Sequence, residues 1–98
     1  MTIRERFEAG ERDFSNQDAS GEDLSELDLE NVSFAGANCE NVNFQGSILR
    51  GCDFQDANLA GVSFQDSDLD GAIFNGLGLF GLFCEGAEME GIIINNAW

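Results

Sequence analysis

Nucleophilic and metal chemistry draws on a short list of side chains, and this sequence is poor in them. It contains no His, which removes the commonest general base and metal ligand and every Ser-His or Cys-His pairing that activates a nucleophile. Its three cysteines, Cys39, Cys52 and Cys84, have no metal-type pair spacing, and an odd number cannot be fully paired within one chain. That usage fits a reducing cytosol. Carboxylate is what remains in quantity: nineteen acidic residues face four Arg and no Lys, for a net charge of −15. Such a balance opposes direct binding to nucleic acid or to anionic lipid and suits a basic partner. Paired carboxylates do chemistry only when a cleft opposes them, so the elements that carry them decide the matter.

Those elements repeat every five residues. Steps of five from Phe14 meet only apolar residues as far as Ile94, through Phe34, Phe44, Phe54, Phe64 and Phe74 and, between them, Leu29, Leu49 and Leu69. From Leu27 onward, the residue two positions before each centre is small or apolar, as at Val32, Val42, Cys52 and Ala72; two positions after each centre stands Gly, Asn or Asp, with Glu26 the poor fit. Alternate residues of an extended segment share a side, so offsets −2 and 0 point inward while −1 and +1 point outward. The fifth residue turns the chain, which Gly, Asn and Asp tolerate. A strict period of five fits neither an α-helix nor a hairpin strand, and the absence of Pro agrees with coils that hydrogen-bond to coils above and below.

Phe recurs at centres 34, 44, 54, 64 and 74, every ten residues. Two-sided or four-sided coils keep that order, and two sides leave no interior width for Phe. The prediction is an all-β parallel solenoid over residues 13–95, a quadrilateral β-helix of about four twenty-residue coils. Phe14, Phe34, Phe54 and Phe74 stack on one side and Phe44 and Phe64 opposite. Leu29, Leu49 and Leu69 line a third side, the core being this set of stacks. All three cysteines point inward, as small buried hydrophobes.

The units resemble the pentapeptide repeat family, whose pattern is a small residue, Asp or Asn, Leu or Phe, then two variable positions; Ala57-Asn58-Leu59-Ala60-Gly61 matches it in full. The resemblance implies a right-handed helix. It also implies an alternative function: one group of the family looks like a mimic of B-DNA that binds DNA gyrase, and this chain shares that acidity while lacking loop insertions between coils and a C-terminal dimerisation helix.

Three regions depart from the plain repeat. In residues 1–12, Thr2 and Glu5 form a capping box and Ile3 and Phe7 share one side of a short α-helix over residues 3–9, a lid over the first coil. With three Arg and three Glu this segment is neutral. On the side centred on Leu29, Leu49 and Leu69, the outward residues Asp28, Glu30, Asp68, Asp70, Glu88 and Glu90 make a candidate acidic interaction face, with Arg50 set to relieve the coil beneath it. A solvated face that aids solubility and a face that imitates phosphates both explain it; the Gly-rich calcium repeats of other β-helices are absent. At the far end Ile73, Phe80, Phe83 and Ile93 occupy outward positions and Trp98 lies in the tail 96–98, a candidate docking surface for a protein partner or a second copy in a homodimer. Stacked polar columns, Asn38 with Asn58, Asn43 with Ser63 and Gln45 with Gln65, are expected to bond along the axis.

The sequence thus predicts a non-catalytic structural or protein-interaction module with no cofactor, no metal and no catalytic residue. With no secretory leader in residues 1–10 and no membrane-length apolar run, a soluble cytoplasmic location is expected.

Overall fold

Each outward residue that precedes a side's centre pairs with its counterpart twenty residues on. Parallel bridges join Asp13 to Ser33 and Ser33 to Asp53, Asp18 to Asn38 and Asn38 to Asn58, Asp23 to Asn43 and Asn43 to Ser63, and Asp28 to Ile48 and Ile48 to Asp68. Four such columns make the four predicted sides. The computed structural model describes residues 1–75 and 82–95. In most places the ladder is too short to register as a strand; β1 (Ile73–Asn75) and β2 (Ile93–Asn95) are the longer pieces, paired parallel with Ile73 opposite Ile93. Among the described residues no helix is long and apolar enough to cross a membrane.

The corners explain the fifth position. Asn16, Asn31, Asn41, Asp56 and Asp66 all adopt positive φ near 60°, and Glu26, the poor fit, does the same at 59°. Only small polar residues and Gly enter this region at low cost. In all four columns a corner side chain reaches up over a glycine of the next coil: the Asn16, Asn31 and Asn41 amide oxygens cover Gly36, Gly51 and Gly61, and the Glu26 and Asp66 carboxylates cover Gly46 and Gly86, each where a Cβ would stand. A side chain at one corner therefore demands Gly twenty residues later.

The interior is filled by rings. Phe14, Phe34, Phe54 and Phe74 stack along the axis with centroids 5.8, 5.5 and 5.3 Å apart, and Phe44 stacks on Phe64 at 5.4 Å. Across the axis the columns meet edge to face, Phe34 to Phe44 at 5.4 Å and Phe54 to Phe64 at 5.5 Å, an arrangement that adds quadrupole attraction to the area buried. Leu29, Leu49 and Leu69 are buried alongside. Two hydroxyls in this interior find carbonyls: Ser47 Oγ donates to Leu24 O at 2.6 Å and Ser67 Oγ to Phe64 O at 2.7 Å.

The lid is α1 (Ile3–Glu8), with Ala9 as its C-cap and Gly10 at φ 109° beyond. Glu5 N donates to Thr2 Oγ1 and Thr2 N to Glu5 Oε1, the predicted capping box. Ile3 is buried and Phe7 packs partly against the core. A contact not foreseen fixes the helix: Glu22, from the first coil, accepts from Ile3 N at 2.9 Å and Arg4 N at 3.2 Å.

One expectation for the cysteines is corrected. Cys39 and Cys52 are fully buried, and burial pushes both thiols up to about 12. Cys84 is only half-buried, and Met89 and Ile94, read as interior, are exposed. All three occupy centre positions of the last described coil, above which no described coil lies to cover them. In the native protein Cys84 should therefore react with a thiol reagent at least tenfold faster than Cys39 or Cys52, measured by mass spectrometry of quenched aliquots. Phe54→Ala, which opens a hole touching both aromatic columns, should lower stability by about 3–5 kcal/mol, read from urea unfolding.

Candidate interaction surfaces

The outward −1 position carries most of the Asp and Asn residues, and the structure gives them a local task. Asp18 Oδ1 accepts from Ser20 N at 3.0 Å, and Asp13, Asp23, Asp28, Asn38, Asn43, Asp53, Asn58 and Asp68 accept from the amide two residues on in the same way. Ser33 and Ser63 do so through their hydroxyls. These are Asx and Ser turns that supply an acceptor to the N–H of the residue just before each corner. In the first coil Ser15, Ser20 and Ser25 add a hydroxyl donor to Asp13, Asp18 and Asp23, and these side-chain and backbone donors hold all three carboxyls below the usual range. The signal for this role is in the sequence, as Asp, Asn or Ser every five residues at the position before the centre. Of the expected axial rows, Asn58 Nδ2 donates to Asn38 Oδ1 at 3.3 Å. No side-chain bond joins Asn43 to Ser63 or Gln45 to Gln65; Asn43 and Ser63 accept from Gln45 N and Gln65 N.

The acidic face is assembled as one column, Asp28 beneath Ile48, Ile48 beneath Asp68 and Asp68 beneath Glu88. Glu30, Asp70 and Glu90 stand at the neighbouring outward positions of the same side. Carboxylate oxygens of Asp68, Asp70 and Glu88 lie within 4.8 Å of one another. Two of these groups are already occupied: Asp68 pairs with Arg50, and Asp70 Oδ1 accepts from Glu90 N at 2.9 Å. Burial alone raises the Asp68 pKa, but the Arg50 guanidinium and the Asp70 N–H outweigh it and the net shift is downward. Arg50 was expected to relieve the coil beneath; it pairs instead with the coil above, because its Nε reaches Asp68 Oδ2 directly. Asp28 and Asp68 thus serve the backbone, and Ile48, 41% exposed, interrupts the column. A shallow depression on the adjoining side is lined by Gln65, Asp66 and Glu85.

The far end is apolar. Phe83 is 57% and Ile93 48% exposed, and Ile73 is half-buried beneath Ile93. Phe80 and Trp98 fall outside the described residues. Exposed Met89 and Ile94 join the surface, which sequence reasoning missed because it placed them in a closed interior. Ile48, Ile73, Phe83 and Ile93 share the −1 slot that elsewhere holds a turn-capping oxygen. At these places the chain has given up a local hydrogen bond for an outward hydrocarbon.

A family model for pentapeptide repeats matches residues 37–76 in eight copies. A pentapeptide repeat protein of Nostoc PCC 7120, alr5209, is 27% identical with a TM-score of 0.69 over 98% of this chain and 78% of its own. Rfr23, a pentapeptide repeat protein of Cyanothece 51142, is 26% identical with a TM-score of 0.61 over 87% of this chain and 54% of its own, so the chain spans little more than half of that protein. No curated protein sequence matches the chain. The four-sided solenoid is a right-handed quadrilateral β-helix, the form that pentapeptide repeat proteins adopt.

The turn caps make stability depend on acid in a defined direction. A carboxyl whose folded pKa is depressed adds stability that is complete above its unfolded value, about 3.9, and is lost as pH falls through the folded value. The difference in urea stability between wild type and Asp13→Asn/Asp18→Asn/Asp23→Asn should therefore shrink in favour of the variant between about pH 5 and 2, since an amide oxygen caps at any pH. A constant difference across that range would remove the assignment.

Proposed function

Because the chain carries pentapeptide repeats and folds as pentapeptide repeat proteins do, we propose that it is a non-catalytic protein-interaction module whose working surface is the last described coil. The observation that carries this reading is that Phe83, Met89, Ile93 and Ile94, spread around the sides of one coil, are all exposed. Soluble proteins normally cover the apolar side chains and open backbone edge at the end of a repeat array. The interior offers nothing to a substrate, since stacked phenylalanines fill it. Unpaired thiols at Cys39, Cys52 and Cys84 suit a cytoplasmic setting.

The acidic face supports the module as a solubilising and steering surface. Phosphate mimicry would need a regular carboxylate ladder, and Ile48 and the Arg50–Asp68 pair break this one at its middle. Supercoiling by DNA gyrase should accordingly proceed uninhibited with the protein added at tens of micromolar. For the docking surface the measurement is equilibrium sedimentation: wild type should associate reversibly and weakly at high micromolar concentration, and Phe83→Asp or Ile93→Asp should abolish it. A strictly monomeric wild type would retire the self-association form of this reading.

A further inference from the structure

The two ends of the β-helix are matched edges, and one of them is plugged. Between coils, each centre N–H donates upward to the carbonyl nineteen residues on, as Leu24 N does to Asn43 O at 2.8 Å, and the following corner N–H does likewise, as Glu26 N does to Gln45 O at 3.0 Å. Returning bonds run from the upper coil to the lower, as from Asn43 N to Glu22 O at 3.0 Å. In the last described coil the upward donors Cys84 N, Gly86 N, Met89 N and Gly91 N have no partner among the described residues. By the same register, the carbonyls they seek are those of positions equivalent to Asp23, Ser25, Asp28 and Glu30, at the lower edge of a first coil.

Two of those four carbonyls are taken. Arg4 Nη1 donates to Asp23 O at 3.0 Å and to Ser25 O at 3.4 Å. The guanidinium thereby replaces the two backbone donors that a preceding coil would supply on this side. Glu22 anchors the helix that carries it, and Arg6 lies over the Phe14 ring, 5.3 Å from its centroid.

We propose that α1 is a displaceable plug, and that its competitor is the last coil of a second copy, stacked head to tail so that the twenty-residue register continues across the junction. This rests on the reading of the last coil as a docking surface. Register selects the polarity: only a head-to-tail junction continues the parallel pairing in which each centre N–H meets the carbonyl nineteen positions on. A head-to-tail junction is heterologous and repeats without closing, so an unplugged chain forms filaments rather than dimers, and the plug limits growth.

The test uses the full chain. Arg4→Ala removes the mimic and Ile3→Asp expels the buried anchor; circular dichroism and continued protection of Cys39 and Cys52 verify the coils. Both variants should assemble at concentrations at least tenfold below wild type, with weight-average mass rising several-fold above the 10.6 kDa monomer. Adding Ile94→Asp should return them to monomers. Mixed with wild type, the Arg4→Ala/Ile94→Asp chain, which can offer only its head, should give a one-to-one complex. Folded variants that stay monomeric, or assembly indifferent to Ile94→Asp, would overturn the proposal. Wild-type association that needs Ile93 but is unchanged by Arg4→Ala would overturn the plug alone and leave the docking surface standing.

Discussion

The backbone ladder between coils is the constraint on which everything else in this protein depends. Because each donor reaches a carbonyl on the next coil, every residue has a fixed neighbour twenty positions away. An inward Phe is thereby obliged to lie on another inward residue, and the two aromatic columns follow. A corner side chain is obliged to lie over the next corner, hence the glycines above Asn16 and Glu26. Stability comes from repetition of one interface, as in other solenoids, where each unit contacts only its neighbours. The same rule leaves the first and last coils with unmatched edges, and the chain treats them differently.

At the first coil the unmatched edge is met by side chains that imitate backbone. Arg4 supplies donors to Asp23 O and Ser25 O, and Glu22 supplies the acceptor that the exposed start of α1 needs. At the last described coil, hydrocarbon replaces the turn-capping oxygens at Phe83 and Ile93. The two described ends therefore differ in kind: at one, side chains of α1 and Glu22 meet part of the edge, and at the other, exposed hydrocarbon surrounds it.

The charge of −15 has a similarly divided meaning. Part of it is structural, because Asp13, Asp18, Asp23, Asp28, Asp53 and Asp68 each accept the N–H that leads into a corner. An acidic composition here is in part the signature of a fold that turns a corner every five residues. Other carboxylates, among them Glu30 and Glu90, stand exposed and give the rod a negative field.

The period of five, the alternation of inward and outward residues, the ten-residue recurrence of Phe and the helix signal at Thr2 and Glu5 were all legible in the sequence. Each is a local pattern whose physical meaning does not depend on what lies above it. The direction of the Arg50 pair, the anchoring of α1 by Glu22, the use of Asp side chains as turn caps and the exposure of Cys84, Met89 and Ile94 were decided only by the tertiary structure. For Arg50, Glu22 and the Asp side chains the residue type permitted more than one partner, and for Cys84, Met89 and Ile94 it permitted either a covered or an open site. The choice between them depends on side-chain reach and on whether another coil is present, quantities set by the stacked backbone and invisible to a five-residue pattern.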